Sequence, residues 1–241
     1  VLVTGGASGI GLECARQAAR GGASVAVVDL NVEAARAATA QFPDGPHVAV
    51  EANVADAESM ISAVNTIVRE VGAPTAVVAA AGIVSRTPLR EVTTDEFRRV
   101  FSVNLEGVQN TISAATPHLV EAGSLGAIVA LSSVAAYTGG GLMGSGVYAA
   151  SKAAVVGLIR GYARELAPWH VRANAVAPAA TETPMTSVLS DEEKLRMAGA
   201  TLVGRLCRAE EIAATVNFLL GPGAASITGQ VVQPNGGVYF N

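Results

Sequence analysis

Short apolar runs alternate along the chain with longer stretches in which apolar residues recur every three to four positions. Val1–Val3, Ser24–Asp29, His47–Glu51, Thr75–Ala80, Ala127–Leu131, Val171–Val176 and Gln230–Gln233 read as strands. Gly9–Arg20, Val32–Gln41, Ala57–Val71, Thr94–Val120, Val147–Leu166 and segments near Asp191–Ala198 and Arg208–Leu220 read as helices. Pro117 is expected to kink or break the fourth of these late in its course. Strands that are apolar at nearly every position are buried on both faces, which requires a parallel sheet with helices on each side. No linker, charge block or repeat divides the chain. The pattern therefore predicts an α/β fold, a single doubly wound parallel-sheet domain over residues 1–241 with right-handed crossovers.

The turn after the first strand reads Thr4-Gly5-Gly6-Ala7-Ser8-Gly9-Ile10-Gly11. In this context Gly5 permits a tight exit from the strand and Gly9 lets the backbone approach a pyrophosphate. Gly11 lets the helix pack closely on the sheet. N–H groups from Ser8, Gly9 and Ile10 at the helix start then face an anion, as in the Rossmann arrangement. Asp29 ends the second strand, where a carboxylate accepts from the adenosine ribose hydroxyls and repels a 2′-phosphate. No Arg or Lys lies in Gly6–Gly11 or Leu30–Val32, so NAD is the expected cofactor. The plain alternative is an ordinary glycine turn with a surface aspartate.

Tyr148 and Lys152 lie four apart in a helical segment and so share one face. An ammonium beside a phenol favours the phenolate and lowers its pKa from about 10, which suits proton transfer near neutral pH. Such a pair alone is usually a solvated helix face. Two further features weigh against that here. Ser132-Ser133 follows the strand Ala127–Leu131, at the sheet edge where open parallel sheets bind ligands. Asn104 lies mid-helix between Val103 and Leu105, where an amide is costly unless its side chain has a task.

Together these residues resemble the short-chain dehydrogenase/reductase family over essentially the whole chain. Thr4-Gly5-x-x-x-Gly9-x-Gly11 matches its cofactor turn, and Asn104, Ser133, Tyr148 and Lys152 match its catalytic tetrad. Pro178 through Thr183 is similar to its Pro-Gly-x-x-x-Thr segment, and Gly236-Gly237 to a glycine pair near its C-terminus. The resemblance implies that Tyr148 is the general acid/base and that Lys152 tunes it and holds the nicotinamide ribose. It implies that Ser133, the second serine of its pair, binds the substrate oxygen, with Ser132 supporting the strand end. Asn104 would hold a water linking Lys152 to solvent. Asn53, Val54, Ala81 and Gly82 would meet the adenosine half, and Pro178, Thr181 and Thr183 the nicotinamide half. A homotetramer is implied too, built on the helices Asn104–His118 and Val147–Leu166 and on Gln230–Gln233 with the tail Val238–Asn241.

The chain departs from the family pattern at several places. Asn-Asn-Ala-Gly becomes Ala79-Ala80-Ala81-Gly82, a loss that bears on stability, and Gly82 still leaves room beside the adenosine ribose. Asn53 replaces an Asp near the adenine, and its amide oxygen is expected to accept from the adenine amino group. Ala179 replaces a Gly, so that turn should avoid positive φ. Asn235 replaces an Asp before the glycine pair.

Ala135–Val147 should line the substrate cleft, and it carries no charge. A flap near 184–201, with Met185, Val188 and Leu189, should form its second wall. Met185 and Leu189 either meet substrate or simply pack the flap onto the domain. An uncharged cleft suits a neutral small-molecule alcohol or ketone, which makes the chain an NAD-dependent alcohol dehydrogenase or ketoreductase. The alternative is an NADPH-dependent 3-oxoacyl-carrier-protein reductase. The arginines that dock the carrier there match Ser124 and Trp169 here, neither basic. A more distant alternative, a non-catalytic NAD-sensing module, would be expected to lack the tyrosine or lysine.

Composition narrows the classes further. The 241 residues carry a net charge of -4 without a Lys/Arg run, so no nucleic-acid partner is expected. No apolar run reaches membrane-span length, and no signal-peptide pattern is read. The chain opens on Val1-Leu2-Val3, already strand-like, so a few residues are expected upstream. Cys14 and Cys207 have no metal-ligand spacing and read as small buried hydrophobes in a reducing, cytoplasmic setting. His47, His118 and His170 are scattered, read as surface or loop residues, and imply no metal.

Overall fold

The computed structural model describes residues Val1 to Phe240. The elements run in the order β1 Leu2–Thr4, α1 Gly9–Arg20, β2 Val25–Asp29, α2 Val32–Thr39, β3 His47–Glu51, α3 Ala57–Val71 and β4 Ala76–Ala79. There follow α4 Thr94–Phe101, α5 Gly107–Ala122, β5 Ala127–Leu131, α6 Ala135–Thr138, α7 Gly146–Glu165 and β6 Arg172–Val176. The last are β7 Thr181–Glu182, α8 Asp191–Gly199, β8 Cys207–Arg208, α9 Ala209–Leu220 and β9 Val231–Val232. Seven strands form one parallel sheet in the order β3-β2-β1-β4-β5-β6-β9. The chain winds outward from β1 in one direction to β3, then returns and winds the other way from β4. The reversal between β1 and β4 opens a crevice at their C-terminal ends, where ligands of such sheets bind.

Alternate residues of each strand feed two separate cores. Leu2, Ala26, Val28 and Val77 pack against α3, α5 and α7 through Met60, Ile67, Ile112, Leu119 and Ile159. Val3, Val25, Val27 and Val78 pack against α1 and α9 through Cys14, Ile212, Val216 and Leu219. Both cysteines are buried and unpaired, as the sequence predicts.

Three features depart from the sequence pattern. Pro117 does not end the helix at its own position: it lies inside α5. Pro117 and Ser113, whose carbonyl loses its donor, are both exposed, so that carbonyl is open to solvent. The irregularity falls instead at Ser102–Glu106, a turn widened to π geometry with Asn104 at its centre. The two-residue parallel pair β7–β8 has no periodic signal in the sequence. Of the histidines, only His170 is in a loop. His118 belongs to α5, and His47 lies on β3, taking the Val25 N–H on Nδ1 at 3.2 Å.

Among the described residues no helix is long and apolar enough to cross a membrane, and no cluster of metal-ligating side chains occurs.

Candidate active site

The phosphate turn depends on positions without a Cβ. Gly5 and Gly9 have φ of 65° and 55°. A Cβ on Gly5 would stand 2.7 Å from the Cα of Ala81, and one on Gly11 would collide with the Gly5 carbonyl. Strand exit, helix start and the end of β4 are therefore in direct backbone contact. Ser8 occupies the N-cap position of α1 without capping it, and no acidic residue lies in the first turn. Free N–H groups and the helix dipole face the crevice, which fits a pyrophosphate.

Asp29 reaches back to this turn. Its carboxylate accepts from the Ala7 N–H at 3.1 Å and from the Asn31 N–H at 3.0 Å. Glu33 and Glu51 share a neighbouring hollow with it. The Asn53 amide oxygen accepts from the Ala55 N–H at 3.1 Å, so one lone pair is left for a ligand.

At the other end, Tyr148 and Lys152 lie on the first turns of α7, and Ser133 lies just beyond β5. The Lys152 Nζ lies 5.9 Å from the centre of the Tyr148 ring and donates to the Leu131 carbonyl at 2.7 Å. Burial lowers its pKa to about 8. Burial also pushes the Tyr148 phenol up, while a hydrogen bond with the Ser133 hydroxyl opposes the shift. The lowering of Tyr148 expected from the i,i+4 spacing is not found: burial sets the direction of its shift. Ser132 takes a structural part, donating to the Lys152 carbonyl at 2.8 Å.

Asn104 is fully buried. Its Oδ1 accepts from the Ile83 N–H at 2.8 Å, and its Nδ2 donates to the Ile83 carbonyl at 2.9 Å and to the Ser151 hydroxyl at 3.0 Å. A Cβ on Gly82 would lie 3.3 Å from both the Asn104 Oδ1 and the Lys152 Nζ. Gly82 therefore keeps open the space between amide and ammonium, a role not foreseen from the sequence.

One cavity of about 490 Å³ joins the two ends. Gly5, Ser8, Gly9, Ile10, Gly11, Asp29, Asn53, Val54, Ala81, Gly82, Ser133, Tyr148, Lys152, Pro178, Thr181 and Thr183 all line it, and Asn104 stands behind the wall. Thr183 also packs on the phosphate turn, its Cβ 3.4 Å from where a Gly9 Cβ would be. Ala179 has an ordinary negative φ, as expected. Asn235 accepts from the Gly237 N–H and donates to the Tyr239 carbonyl, each at 2.8 Å, the latter a bond no carboxylate would make.

The only charged side chains on the lining are Asp29 and Lys152. Leu142, Met143 and Gly144 form one wall of the substrate end, and Met185, Thr186 and Met197 the other. Leu189 is buried and off the lining, and Val188 is exposed and off it. Of the flap residues named from the sequence, Met185 lies on the lining and Leu189 packs the segment onto the domain. Met197 was not singled out in the sequence because only the path of α8 brings it to the cleft.

A glycine turn whose free N–H groups fit an anion, a carboxylate at the same end of the cavity, and Ser133 and Tyr148 beside the buried Lys152 at the far end fit an oxidoreductase of the α/β class. A family profile described as enoyl-(acyl carrier protein) reductase matches residues 5–239. A 3-oxoacyl-acyl-carrier-protein reductase of Staphylococcus aureus is 38% identical, covering 99% of this chain and 97% of that protein. A (3R)-3-hydroxyacyl-CoA dehydrogenase of Canis lupus familiaris is 35% identical over 99% of this chain and 95% of its own. A crystal structure from Brucella melitensis, titled a short-chain dehydrogenase/reductase of the glucose/ribitol dehydrogenase type, superposes with a TM-score of 0.93. It is 33% identical and covers 100% of this chain and 96% of that one. The chain belongs to the short-chain dehydrogenase/reductase family.

Proposed function

We propose that this protein is an NAD-dependent alcohol dehydrogenase or ketoreductase for an uncharged secondary alcohol or ketone. The observation that carries this reading is one cavity with the Asp29 carboxylate at one end and, at its apolar end, Ser133 and Tyr148 beside the buried Lys152. The glycine turn would hold the pyrophosphate, Asp29 the adenosine ribose and Lys152 the nicotinamide ribose. When bound, the nicotinamide supplies the hydride acceptor in oxidation and the donor in reduction.

The chain's own residues handle the oxygen and its proton. In reduction the Ser133 hydroxyl donates to the carbonyl oxygen and the Tyr148 phenol delivers its proton there. In oxidation Tyr148 takes the proton of the alcohol. Lys152 stabilises the phenolate that reduction leaves. Asn104 shapes the floor on which these groups meet. A segment around 184–201 serves as the substrate flap.

Reduction of 3-oxoacyl thioesters is a second reading, favoured by the names of the relatives. Against it stand the carboxylates at Asp29, Glu33 and Glu51, which oppose a 2′-phosphate. Trp169, half-exposed, stands where the resemblance would put a carrier-docking arginine. A panel of secondary alcohols, ketones and a 3-oxoacyl thioester, followed by nicotinamide absorbance with both cofactors, decides between the two. Turnover of simple ketones with NADH is expected; turnover of the thioester alone, with NADPH, overturns the first reading.

Assembly as a homotetramer, which the resemblance implies, is checked by sedimentation. Part of the tail implicated in that assembly, Asn241, lies outside the described residues. Two unpaired cysteines suit a reducing, cytoplasmic compartment.

A further inference from the structure

The segment that leaves β4 is fastened to the turn that carries Asn104, to α4, to the start of α7 and to α8. Ile83 is held by Asn104 through two hydrogen bonds. The Ser85 hydroxyl, buried at 3% exposure, donates to Glu96 Oε1 at 2.8 Å and lies 3.1 Å from the Ser145 hydroxyl. The Ser85 carbonyl accepts from the Ser145 N–H at 2.6 Å. Thr87 donates to the same Glu96 oxygen at 2.8 Å. Leu89 lies over Gly146 so closely that a Cβ there would meet it at 2.6 Å. Arg86 pairs with Glu193 of α8 at 2.6 Å.

Ser145 is the informative member. It stands at the N-cap of α7 with extended backbone, and serine is among the residues preferred there for their side-chain cap. Yet its hydroxyl makes no cap bond and turns to Ser85 instead. The start of the helix is thus fixed from outside. Tyr148 follows three residues later and Lys152 one turn beyond that.

We propose that Glu96 is a positioning residue, whose carboxylate holds Ser85 against Ser145 and so sets where α7 begins and where the Tyr148 phenol points. A displacement of a reacting group by about 1 Å costs on the order of a hundredfold in rate, so a fixed helix start bears directly on catalysis. The inference rests on Tyr148 carrying the proton for its catalytic meaning, but the placement of Tyr148 is measurable apart from turnover.

The test uses the full chain with tyrosine labelled by ¹³C at Cζ. The chain has four tyrosines, and the Tyr148 signal is the one missing in Tyr148→Phe. In Glu96→Ala that signal is expected to move or broaden, and kcat to fall about tenfold with KM for the nicotinamide cofactor unchanged within about twofold. Glu96→Gln keeps an acceptor oxygen for both hydroxyls and is expected to restore signal and rate. An unmoved Tyr148 signal in Glu96→Ala, or equal damage in Glu96→Gln, overturns the proposal. Should Glu96→Ala fail to fold, Ser145→Ala removes one atom of the same link and must move the same signal; an unmoved signal there overturns it as well. If the signal moves but Tyr148→Phe retains full turnover, the positioning stands and the proposed role of Tyr148 falls.

Discussion

Asn104 and Ile83 exchange two hydrogen bonds, the amide oxygen taking the Ile83 N–H at 2.8 Å and the amide nitrogen serving the Ile83 carbonyl at 2.9 Å. A buried side chain thereby completes a piece of backbone that belongs to no strand or helix. Asn104→Ala strands both backbone groups and the Ser151 hydroxyl's donor. It is expected to lower unfolding free energy by about 1–3 kcal/mol, the cost of buried polar groups left unpaired, and to lower kcat. Asn104→Asp keeps only the acceptor half and should also be impaired. Urea denaturation with parallel kinetics checks this; wild-type stability in Asn104→Ala would show that water or backbone movement replaces the amide.

Cofactor preference follows from Asp29 and its neighbours Glu33 and Glu51. A 2′-phosphate would face like charge there, so kcat/KM should favour NAD over NADP by at least about tenfold. Asp29→Ala should narrow the preference. It should also weaken both cofactors, because the same carboxylate anchors the Ala7 N–H of the phosphate turn. Equal efficiency with the two cofactors in the unmodified enzyme contradicts the assignment.

The three groups at the apolar end should fail differently. Tyr148→Phe removes the transferable proton and leaves the ring, so turnover should fall more than about a hundredfold while NAD binding holds. Lys152→Ala should stop turnover and also weaken NAD. Ser133→Ala should lower kcat by roughly two to three orders of magnitude, as when one oxyanion donor is lost. Retention of more than about a tenth of wild-type kcat by Tyr148→Phe would mean that water carries the proton.

The pH dependence has a definite sign. Burial brings Lys152 down to about 8 and raises Tyr148. Oxidation needs the pair short of a proton, so its kcat/KM should rise with pH through the midpoint of the pair. Reduction needs the proton in place and should fall through the same value. The midpoint belongs to the coupled pair and not to one residue. Profiles measured from pH 6 to pH 10 that are flat in both directions would refute the assignment.

What the sequence determined is what depends on local pattern. Continuous apolar strands, amphipathic helices and the spacing of Gly5, Gly9 and Gly11 follow from backbone geometry and burial, and these placed the seven strands of the sheet and the helix start at Gly9 to within a residue or two. Spacing marked Tyr148 and Lys152 as a candidate pair, and the resemblance to the family joined Asn104 and Ser133 to them as a proposed tetrad. What only the tertiary structure decided depends on which groups meet across the fold. A widened turn falls at Asn104, where a buried amide must find partners, while Pro117 lies inside α5 on its exposed side. Tyr148 titrates upward because desolvation acts through the whole surroundings of a group, whereas i,i+4 spacing reports one neighbour. Ser85, Glu96 and Ser145 are far apart in the chain and unremarkable in type. Their linkage exists only because the segment leaving β4 crosses the start of α7, and contact at that range leaves no periodic trace in a sequence.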